Sequence, residues 1–558
     1  MRDIKKQKTR LLFVVAGGLC LIHVLLALEP IRVFSPTYDE PVHLTAGAIY
    51  LKTGDFRFAG FHHPPFAEMW AALPLLVLPS SLPINDAAWV RQEWNALDQY
   101  TFADRFLYHN HVSADTLLTA GRLMQLLLSL LMGGFLFWFV RKSAGGKAAL
   151  YALVFWCFSP IILANGTVVT TDFAFALFFS AFFMLCSVLG ESFLIAALAG
   201  ISLGLCLASK HMSVAILPSV LALLLWRGLR RVRHGERFLA EPFLMERKKQ
   251  ISFLCLVSVA FLTLWFVYGF GNLSIYWEGL KEAMFRNQRG RGSFFFGDHR
   301  VTGWLGYFPA VFLIKTPIPL LIGLGISLAM FIKKKIVLSP FLCIPPLVFF
   351  CLACASTVQI GHRHILAVYP FLFVAAAVGL SKLSNRFIWV GGLLIGWSIV
   401  ACVSVKPHYI AYFNEAVGGP RNGVRYLTDS NLDWGQGLKL LKQALEPSDI
   451  EKGIYLCYFG VGDPHAYGIR YMDLGPIPIG GREDDRADPR FQPTKFAISA
   501  THLQSTYYTR KDVYAWLKDY KPWKVIGYSI FVYDFSDHPE ILKRWAPARS
   551  PSGKAGGS

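Results

Sequence analysis

Three acidic residues stand at the ends of long apolar runs, where a carboxylate is costly unless it is paired, hydrated or used. Asp39 and Glu40 follow the first run in "SPTYDEP", and Asp172 opens a later run in "GTVVTTDFAFA". A carboxylate at such a boundary can take the proton of an attacking hydroxyl or amine. A simpler interpretation of Asp172 is a first-turn acid that stabilises a helix N-terminus. Asp39, Glu40 and Asp172 are the candidate catalytic residues.

Basic residues gather beside the same apolar runs. Glycine-spaced arginines occur in "FRNQRGRGSFFFGDHR", and further cations occur in "LASKHMS" and "IGHRH". Guanidinium groups bind phosphate oxygens through paired hydrogen bonds, and ammonium groups bind them as point charges. General binding of lipid headgroups is the alternative. The predicted phosphate-binding residues are Lys210, Arg286, Arg289, Arg291, His299, Arg300 and Arg363.

Histidines and the polar stretch at residues 428–437 supply groups that could position a substrate. "HHPPF" and "IGHRH" contribute imidazoles, and "TDSNLDWGQG" contributes the acid, amide and indole groups that bind sugars. The alternative for the tail is a turn before a helix, with Asp433 as its N-cap. The predicted positioning residues are His62, His63, His362, His364, Asp433 and Trp434.

Carboxylates and phosphate-binding cations on one face are what an enzyme needs to transfer a group from a lipid phosphate. The carboxylate takes the proton of the acceptor, and the cations stabilise the phosphate as it leaves. A transporter or flippase of lipid-linked sugars would use the same cations without chemistry, but it needs ionisable residues near the bilayer midplane. The acids here stand at the ends of the apolar runs, which favours the enzyme.

The elements that carry these residues are those of a membrane protein. The chain has 558 residues, of which 54% are hydrophobic and 16% charged. Its net charge of +19 lies in short connectors between apolar runs, as membrane topology requires, so a nucleic-acid partner is not expected. About eleven transmembrane helices are predicted, at residues 11–29, 113–140, 148–164, 173–189, 191–208, 211–227, 250–270, 304–331, 336–357, 365–381 and 387–404.

The basic start "MRDIKKQKTR" places the N-terminus in the cytoplasm. The basic connectors at 141–147, 227–249, 333–335 and 381–386 then fall on the cytoplasmic side. The shorter run at 66–82 would break this alternation, so we expect it to lie along the outer interface as an amphipathic helix. Two large outer loops follow, at 30–112 and 271–303, and they carry most of the candidate residues.

Three parts are predicted along the chain. Residues 1–404 form an all-α polytopic membrane domain, and residues 405–550 form a small extracytoplasmic α/β domain. This second domain contains strand-like runs at 452–459, 494–500 and 523–533 and a helix at 435–445. The end, 551–558, is typical of a disordered tail. In a further alternative, the second domain binds a partner and the membrane part only anchors it. An anchor, however, needs far fewer spans than the predicted number.

The order of these motifs resembles a known family. "YDEP", "HHPPF", "TDFAFA", the "SK" pair at 209–210, the arginine-rich loop before "GWLGYFP" and "IGHRHILAVYP" are similar to motifs of the GT-C integral-membrane glycosyltransferases. Within them, the chain resembles the bacterial proteins similar to glycosyltransferase family 39, alongside the protein O-mannosyltransferases and the lipid A aminoarabinose transferase. The resemblance covers most of the membrane part and extends past residue 440.

The resemblance implies an inverting transfer of a sugar from a polyprenyl-phosphate donor of the undecaprenyl or dolichyl type. The acceptor, a lipid, glycan or protein on the outer face of the membrane, is not specified by the sequence, and neither is the sugar. Asp39 matches the base of the family, with Glu40 beside it. Asp172 matches a second acidic position that holds the acceptor or the base, and Lys210 matches a phosphate-contacting lysine. The inferred location is a bacterial inner membrane.

A divalent metal is the one cofactor that the resemblance raises. The aminoarabinose transferase has a metal-binding carboxylate where this chain has His63. His63 with His299 could bind zinc, since imidazole is a common zinc ligand. The protein O-mannosyltransferases also carry His-Pro-Pro here, so a substrate-positioning role is the other interpretation of His63.

Overall fold

The computed structural model describes residues 2–60, 63–86, 89, 96–190, 192–234, 247–476 and 484–541. The predicted tail at 551–558, His62 and part of the predicted connector at 227–249 lie outside the described residues.

Helices make up most of the described chain. In order they are α1 Arg2–Val33, α2 Glu40–Thr53, α3 Arg57–Gly60, α4 Phe66–Ala72, α5 Ala96–Tyr108, α6 Ala114–Ala144, α7 Gly146–Cys157, α8 Pro160–Asn165, α9 Thr171–Cys186, α10 Phe193–Leu207, α11 Ile216–Arg233, α12 Arg247–Val267, α13 Ser274–Arg289, α14 Tyr307–Lys315, α15 Ile318–Ile332, α16 Pro340–Cys354, α17 Tyr369–Ser381, α18 Ile388–Val403, α19 Leu438–Ala444, α20 Pro447–Lys452 and α21 Ala500–Leu503. Every predicted span therefore falls on a helix or a pair of helices. The predicted fold class, a helical polytopic membrane protein with a small α/β domain, is confirmed.

The number of crossings differs from the prediction. Within the described residues, six helices are long and apolar enough to cross a membrane, or seven if the bent pair α14 and α15 counts as one span. The other predicted spans are shorter apolar helices of 10–17 residues, among them α7, α9, α10 and α16. The predicted number of about eleven is therefore not confirmed.

Prolines break two of the predicted spans. The run at 304–331 is two helices bent by 109° at Thr316 and Pro317. The run at 148–164 is interrupted before Pro160, which opens α8. Proline disfavours the helical conformation of the residue before it and fits the first turn of a new helix, so both breaks have a local cause.

The helix α4 in the first outer loop buries one face against the protein. Ala67, Glu68, Ala71 and Ala72 on α4 are buried, and α4 contacts both α2 and α6. The helical part of the predicted amphipathic helix at 66–82 is shorter than predicted and covers Phe66–Ala72, with one 3-10 turn at Leu73–Leu76, and its placement along the outer interface stays a prediction. Small residues facing α2 allow the two helices to approach closely, and this contact favours burial.

The C-terminal domain contains a five-stranded mixed sheet. Its strands are β3 Ile454–Cys457, β4 Tyr471–Asp473, β5 Lys495–Ser499, β6 Lys524–Ile526 and β7 Ile530–Asp534, in the order β4-β3-β5-β7-β6. β3 pairs in parallel with β4 and β5, and β7 pairs antiparallel with β5 and β6. All four residues of β3 are buried, because apolar clusters cover both faces of the sheet.

Several contacts join this domain to the membrane part. The backbone N–H of Tyr38 donates to the Trp434 carbonyl at 2.8 Å, and Asn414 Nδ2 donates to two carbonyls where α14 ends. The outer loop contributes a hairpin, β1 Ser293–Phe295 and β2 Asp298–Arg300, whose Phe295 forms a β-bridge with Leu427. Residues from both parts of the chain therefore surround one site.

Candidate active site

Four charged side chains from distant parts of the chain meet in one network. The Arg363 Nη1 donates to Asp39 Oδ2 at 2.8 Å and lies 3.5 Å from Asp172 Oδ2. Lys210 Nζ donates to the other oxygen of Asp172, Oδ1, at 2.5 Å. Acids and cations therefore alternate through the network, and their formal charges cancel.

Helix ends hold both carboxylates. Asp39 is the N-cap residue of α2 and Asp172 lies in the first turn of α9, so each acid stands at the positive end of a helix dipole. The Asp39 carboxylate makes no capping hydrogen bond to α2, which leaves it for Arg363. Arg363 lies in the 3-10 helix His362–Val368, and Lys210 directly precedes the 3-10 helix His211–Ala215.

Exposure distinguishes the two acids. The side chain of Asp39 is 25% exposed, whereas that of Asp172 is 4% exposed. Burial alone raises the pKa of Asp39, but the charge and hydrogen bond of Arg363, together with the nearby His43 and Arg291, outweigh burial and hold the pKa below its ordinary value. Burial also lowers the pKa of the Lys210 ammonium, and Asp172 opposes that effect. Asp39 is thus an ionised carboxylate that a substrate can reach.

Glu40 has different surroundings from Asp39. Its two oxygens accept from Arg122 Nε at 2.8 Å and Nη2 at 2.6 Å, and they also accept from the backbone N–H groups of Thr37 and Val169. Arg122 further donates to three carbonyls at the end of α1, those of Ile31, Phe34 and Ser35. Glu40 is fully buried. These contacts are those of an anchor that fixes the turn carrying Asp39.

Residues of the C-terminal domain also contact the network or lie next to it. The Arg363 guanidinium lies 4.1 Å from the centre of the Trp434 ring. Asp433 is buried, and its carboxylate accepts from the Thr501 backbone N–H at 3.0 Å. Burial raises the pKa of Asp433 to about 7, although the bond from Thr501 opposes this. Trp434 therefore contacts the network directly, and Asp433 ties its loop to the sheet domain.

Arg291 stands closest to the network among the arginines of the second outer loop. Its Nε donates to the Tyr507 hydroxyl at 3.3 Å, and Tyr507 donates to Asp429. The Tyr507 hydroxyl that it bonds and the negative charges of Asp429 and Asp39 raise the pKa of Arg291, although burial opposes them. Arg291 is an exposed residue, so a substrate can reach it.

The remaining predicted cations make more local contacts. Arg286 pairs with Glu282 on its own helix at 3.6 Å, and Arg289 lies over the ring of Phe285. Arg300 pairs with Asp298 on the same strand, β2, and His299 Nε2 bonds the Gln504 carbonyl at 2.7 Å. Their roles in phosphate binding stay predictions.

The two histidines that flank Arg363 differ in their contacts. His362 Nε2 bonds the Tyr369 hydroxyl at 2.5 Å, and its backbone N–H donates to Asn431. His364 packs against Phe308, and its Nε2 is buried with no hydrogen-bond partner among the described residues. The first histidine fixes the loop, whereas the second can still bind a substrate group.

The two histidines predicted to bind a metal make separate contacts. The His63 ring lies 5.5 Å from that of His43, whereas His299 bonds the sheet domain. No group of three or more His, Cys, Asp or Glu side chains placed to hold a metal occurs in the described part of the chain. A metal at His63 and His299 stays a prediction.

Several polar residues of the site were not predicted. Arg122 and Lys315 lie within apolar runs, where a charge is itself a signal of a buried role. Lys315 donates to the Ile410 carbonyl at 2.9 Å and to the Asn431 carbonyl, so it joins two loops of the tail. His43 and Glu68 form a pair beside Asp39. Sequence alone gives no signal for that pair, because its two residues meet only in the fold.

One comparison with known families gives a match. Residues 113–240 match the family described as dolichyl-phosphate-mannose-protein mannosyltransferase. This segment includes Arg122, Asp172 and Lys210. The match confirms the resemblance to the GT-C glycosyltransferases, which the motifs predict. No curated protein gives a significant match.

Two solved structures similar to the chain are distant from it in sequence. ArnT of Cupriavidus metallidurans bound to undecaprenyl phosphate is 15% identical, with a TM-score of 0.47, over 93% of this chain and 97% of that one. The archaeal oligosaccharyltransferase AglB of Archaeoglobus fulgidus, in complex with an inhibitory peptide and a dolichol-phosphate, is 12% identical, with a TM-score of 0.45, over 90% of this chain and 70% of that one.

Proposed function

We propose that this protein is a glycosyltransferase that moves a sugar from a polyprenyl-phosphate donor to an acceptor at the outer face of the membrane. The single observation that carries the proposal is the network of Asp39, Arg363, Asp172 and Lys210. It combines an accessible carboxylate with two cations that can receive a phosphate. The family match over residues 113–240 supports a lipid-phosphate carrier.

The reaction follows from the placement of these groups. The acceptor hydroxyl or amine approaches Asp39, which takes its proton as the new bond to the sugar C1 forms. The bond from C1 to the phosphate oxygen breaks, and Arg363 and Lys210 stabilise the charge that develops on the phosphate. Attack opposite the leaving phosphate inverts the configuration at C1. Asp172 keeps both cations in place for this step.

A network without net charge can bind a charged donor by exchanging its ion pairs. A phosphate that enters the site competes with Asp39 and Asp172 for the same guanidinium and ammonium groups, so its binding costs less than the burial of a new charge. The exposed Arg291 adds a further donor from the second outer loop. We place the site and the C-terminal domain outside a bacterial inner membrane, with the N-terminus in the cytoplasm.

The direct test uses the purified full-length protein in proteoliposomes. The protein is incubated with a mixture of polyprenyl-phosphate sugars and an envelope extract, and donors and products are followed by mass spectrometry. Consumption of one donor, with release of polyprenyl phosphate and appearance of a glycosylated acceptor, is the expected result. Movement of labelled donor across the bilayer without its consumption would instead support a flippase.

A further inference from the structure

A short 3-10 helix, His362–Val368, carries Arg363 into the network. The first N–H groups of a helix have no acceptor within it, and asparagine is among the residues that best supply one. Here the acceptor comes from the C-terminal domain, because the His362 backbone N–H donates to Asn431 Oδ1 at 2.9 Å. Asn431 therefore caps the helix of Arg363 from a position 69 residues away in the chain.

The amide of Asn431 also holds the chain just before this helix. Its Nδ2 donates to the Ile360 carbonyl at 3.3 Å, and the Ser430 hydroxyl donates to the same carbonyl at 3.0 Å. Between these bonds lies Gly361, where a side-chain carbon would overlap the Ser430 hydroxyl. The backbone that leads into the 3-10 helix is therefore fixed by two neighbouring side chains of the C-terminal domain.

Buried groups of the membrane part hold Asn431 in turn. Asn431 is fully buried, and its Nδ2 lies 3.0 Å from the hydroxyl of the buried Tyr307 at the start of α14. Its backbone carbonyl accepts from the ammonium of Lys315, which is the last residue of α14 and also donates to the Ile410 carbonyl. A buried polar network whose members are all bonded is rigid, so Asn431 can fix the position of another residue.

Trp434, three residues further along the chain, contacts the other end of Arg363. The guanidinium lies 4.1 Å from the centre of the Trp434 ring, a distance typical of a cation–π contact. The Trp434 carbonyl accepts at 2.8 Å from the backbone N–H of Tyr38, the residue before Asp39. Residues 431–434 therefore contact the chain on both sides of the ion pair between Asp39 and Arg363.

The position of the Arg363 guanidinium decides which of its N–H groups are left for a phosphate. Nη1 is occupied by Asp39 at 2.8 Å. Nε is buried and has no hydrogen-bond partner among the described residues. A guanidinium binds a phosphate best through two parallel N–H groups, so a small displacement loses one of the two bonds.

Resting on the proposed function, we propose that Asn431 is a positioning residue for Arg363, and that the phosphate of the polyprenyl carrier binds with full affinity only when residues 431–434 are docked on the membrane part. The C-terminal domain is in this way a component of the donor site. Asn431 acts through the backbone of the 3-10 helix. Without its amide the His362 N–H loses its acceptor, and the guanidinium of Arg363 is no longer held in place.

The experiment measures the binding of undecaprenyl phosphate to the full-length protein in detergent, with undecaprenol, which lacks the phosphate, as the matched ligand. Wild type, Asn431→Ala, Arg363→Gln and the double variant are compared. We expect each single variant to bind the phosphate about tenfold more weakly, and the double variant to stay within about twofold of Arg363→Gln, because both changes remove the same contact. Undecaprenol binding should stay within about twofold throughout. Asn422→Ala is the matched control, since its amide bonds the nearby Val417 carbonyl, and it should bind as wild type does.

Two further measurements separate positioning from folding. If Asn431→Ala does not elute as the wild type does on size exclusion, Ser430→Ala takes its place. Ser430→Ala removes one bond to the Ile360 carbonyl, and we expect it to weaken phosphate binding about threefold. With the donor and acceptor that the wild type consumes, Asn431→Ala should raise KM for the donor about tenfold and keep KM for the acceptor within about twofold. An equal rise of both KM values would indicate a general loss of structure and overturn the positioning role.

The outcomes separate the two proposals. If the wild type consumes no donor, the proposed function fails, whereas the binding measurements still test how Asn431 acts on Arg363. If the wild type consumes a donor but the losses of Asn431→Ala and Arg363→Gln add in the double variant, only the positioning role is overturned. Wild-type affinity for undecaprenyl phosphate in Asn431→Ala, or no binding of this probe by the wild type, would overturn it as well.

Discussion

Arg363 bonds one carboxylate and lies close to a second, so its removal should change the basicity of Asp39 as well as the affinity for donor. In Arg363→Gln, the largest charge that opposes burial at Asp39 is lost, so the pKa of Asp39 rises. We expect the acid limb of the kcat/KM profile to move to higher pH by about one unit or more, and KM for the donor to rise about tenfold. Arg363→Lys keeps the charge and is the control. An acid limb at the same pH in the wild type and in Arg363→Gln would contradict this account of Asp39.

Asp433 should make stability depend on pH. Its folded-state pKa of about 7 lies above the ordinary carboxyl value, so the folded protein binds more protons than the unfolded chain, and stability falls as pH rises from about 4 to 8. Asp433→Asn keeps an acceptor for the Thr501 N–H but has no charge to bury. We expect thermal shift in detergent to find that the stability of this variant relative to wild type is about 2 kcal/mol higher at pH 8 than at pH 5. Equal melting curves at pH 8 would show that this carboxyl is not held neutral by burial.

Sequence reasoning found the four residues of the network but not their partners. Asp39, Asp172, Lys210 and Arg363 stand out because an ionisable group beside an apolar run is visible in the sequence. Their pairing, and the bonding of Glu40 to Arg122 across 82 residues, depend on tertiary contacts that no local pattern encodes. The sequence consequently predicts a catalytic role for Glu40 beside the base Asp39, whereas its contacts in the fold are those of an anchor.

At the scale of elements, the contact of α2 with α4 supports the helix whose N-cap residue is Asp39. Gly47→Ala should push the helices apart, because its new carbon would overlap the Glu68 carbonyl and lie 2.8 Å from Ala72 Cβ. We expect a loss of about 1–3 kcal/mol in stability and a reduced kcat. Gly134→Ala, on α6 with no atom within 4 Å of the new carbon, is the matched control and should keep both. A stable, fully active Gly47→Ala would show that the helices tolerate separation.

The helices can be predicted from the sequence because long apolar runs are strong signals. The breaks within two of the predicted spans cannot. The prolines at 160 and 317 were visible, but whether a proline kinks a span or ends it depends on what satisfies the freed backbone groups. The Thr316 carbonyl accepts from Asn414 Nδ2 at 2.9 Å, which is a tertiary contact from the tail. The burial of one face of α4 likewise depends on the helices that it contacts and not on its own composition.

At the scale of the whole molecule, the account requires the network and the sheet domain to lie on one side of the membrane. Lys335→Cys, between α15 and α16, should resist an impermeant maleimide in intact cells, whereas Lys521→Cys, exposed on the C-terminal domain, should react. Wild type gives the background, since Cys457 is buried and the other cysteines lie in apolar helices. Labelling of Lys335→Cys in intact cells would reverse the proposed orientation.

The central claim is that Asp39 takes the proton of the acceptor, and one measurement tests it most directly. Donor consumption and polyprenyl phosphate release are compared by mass spectrometry for wild type, Asp39→Asn and the exposed-site control Asp519→Asn. We predict that Asp39→Asn still binds the donor but loses about 100-fold or more in turnover, while Asp519→Asn keeps the wild-type rate. Wild-type turnover in Asp39→Asn would contradict the account.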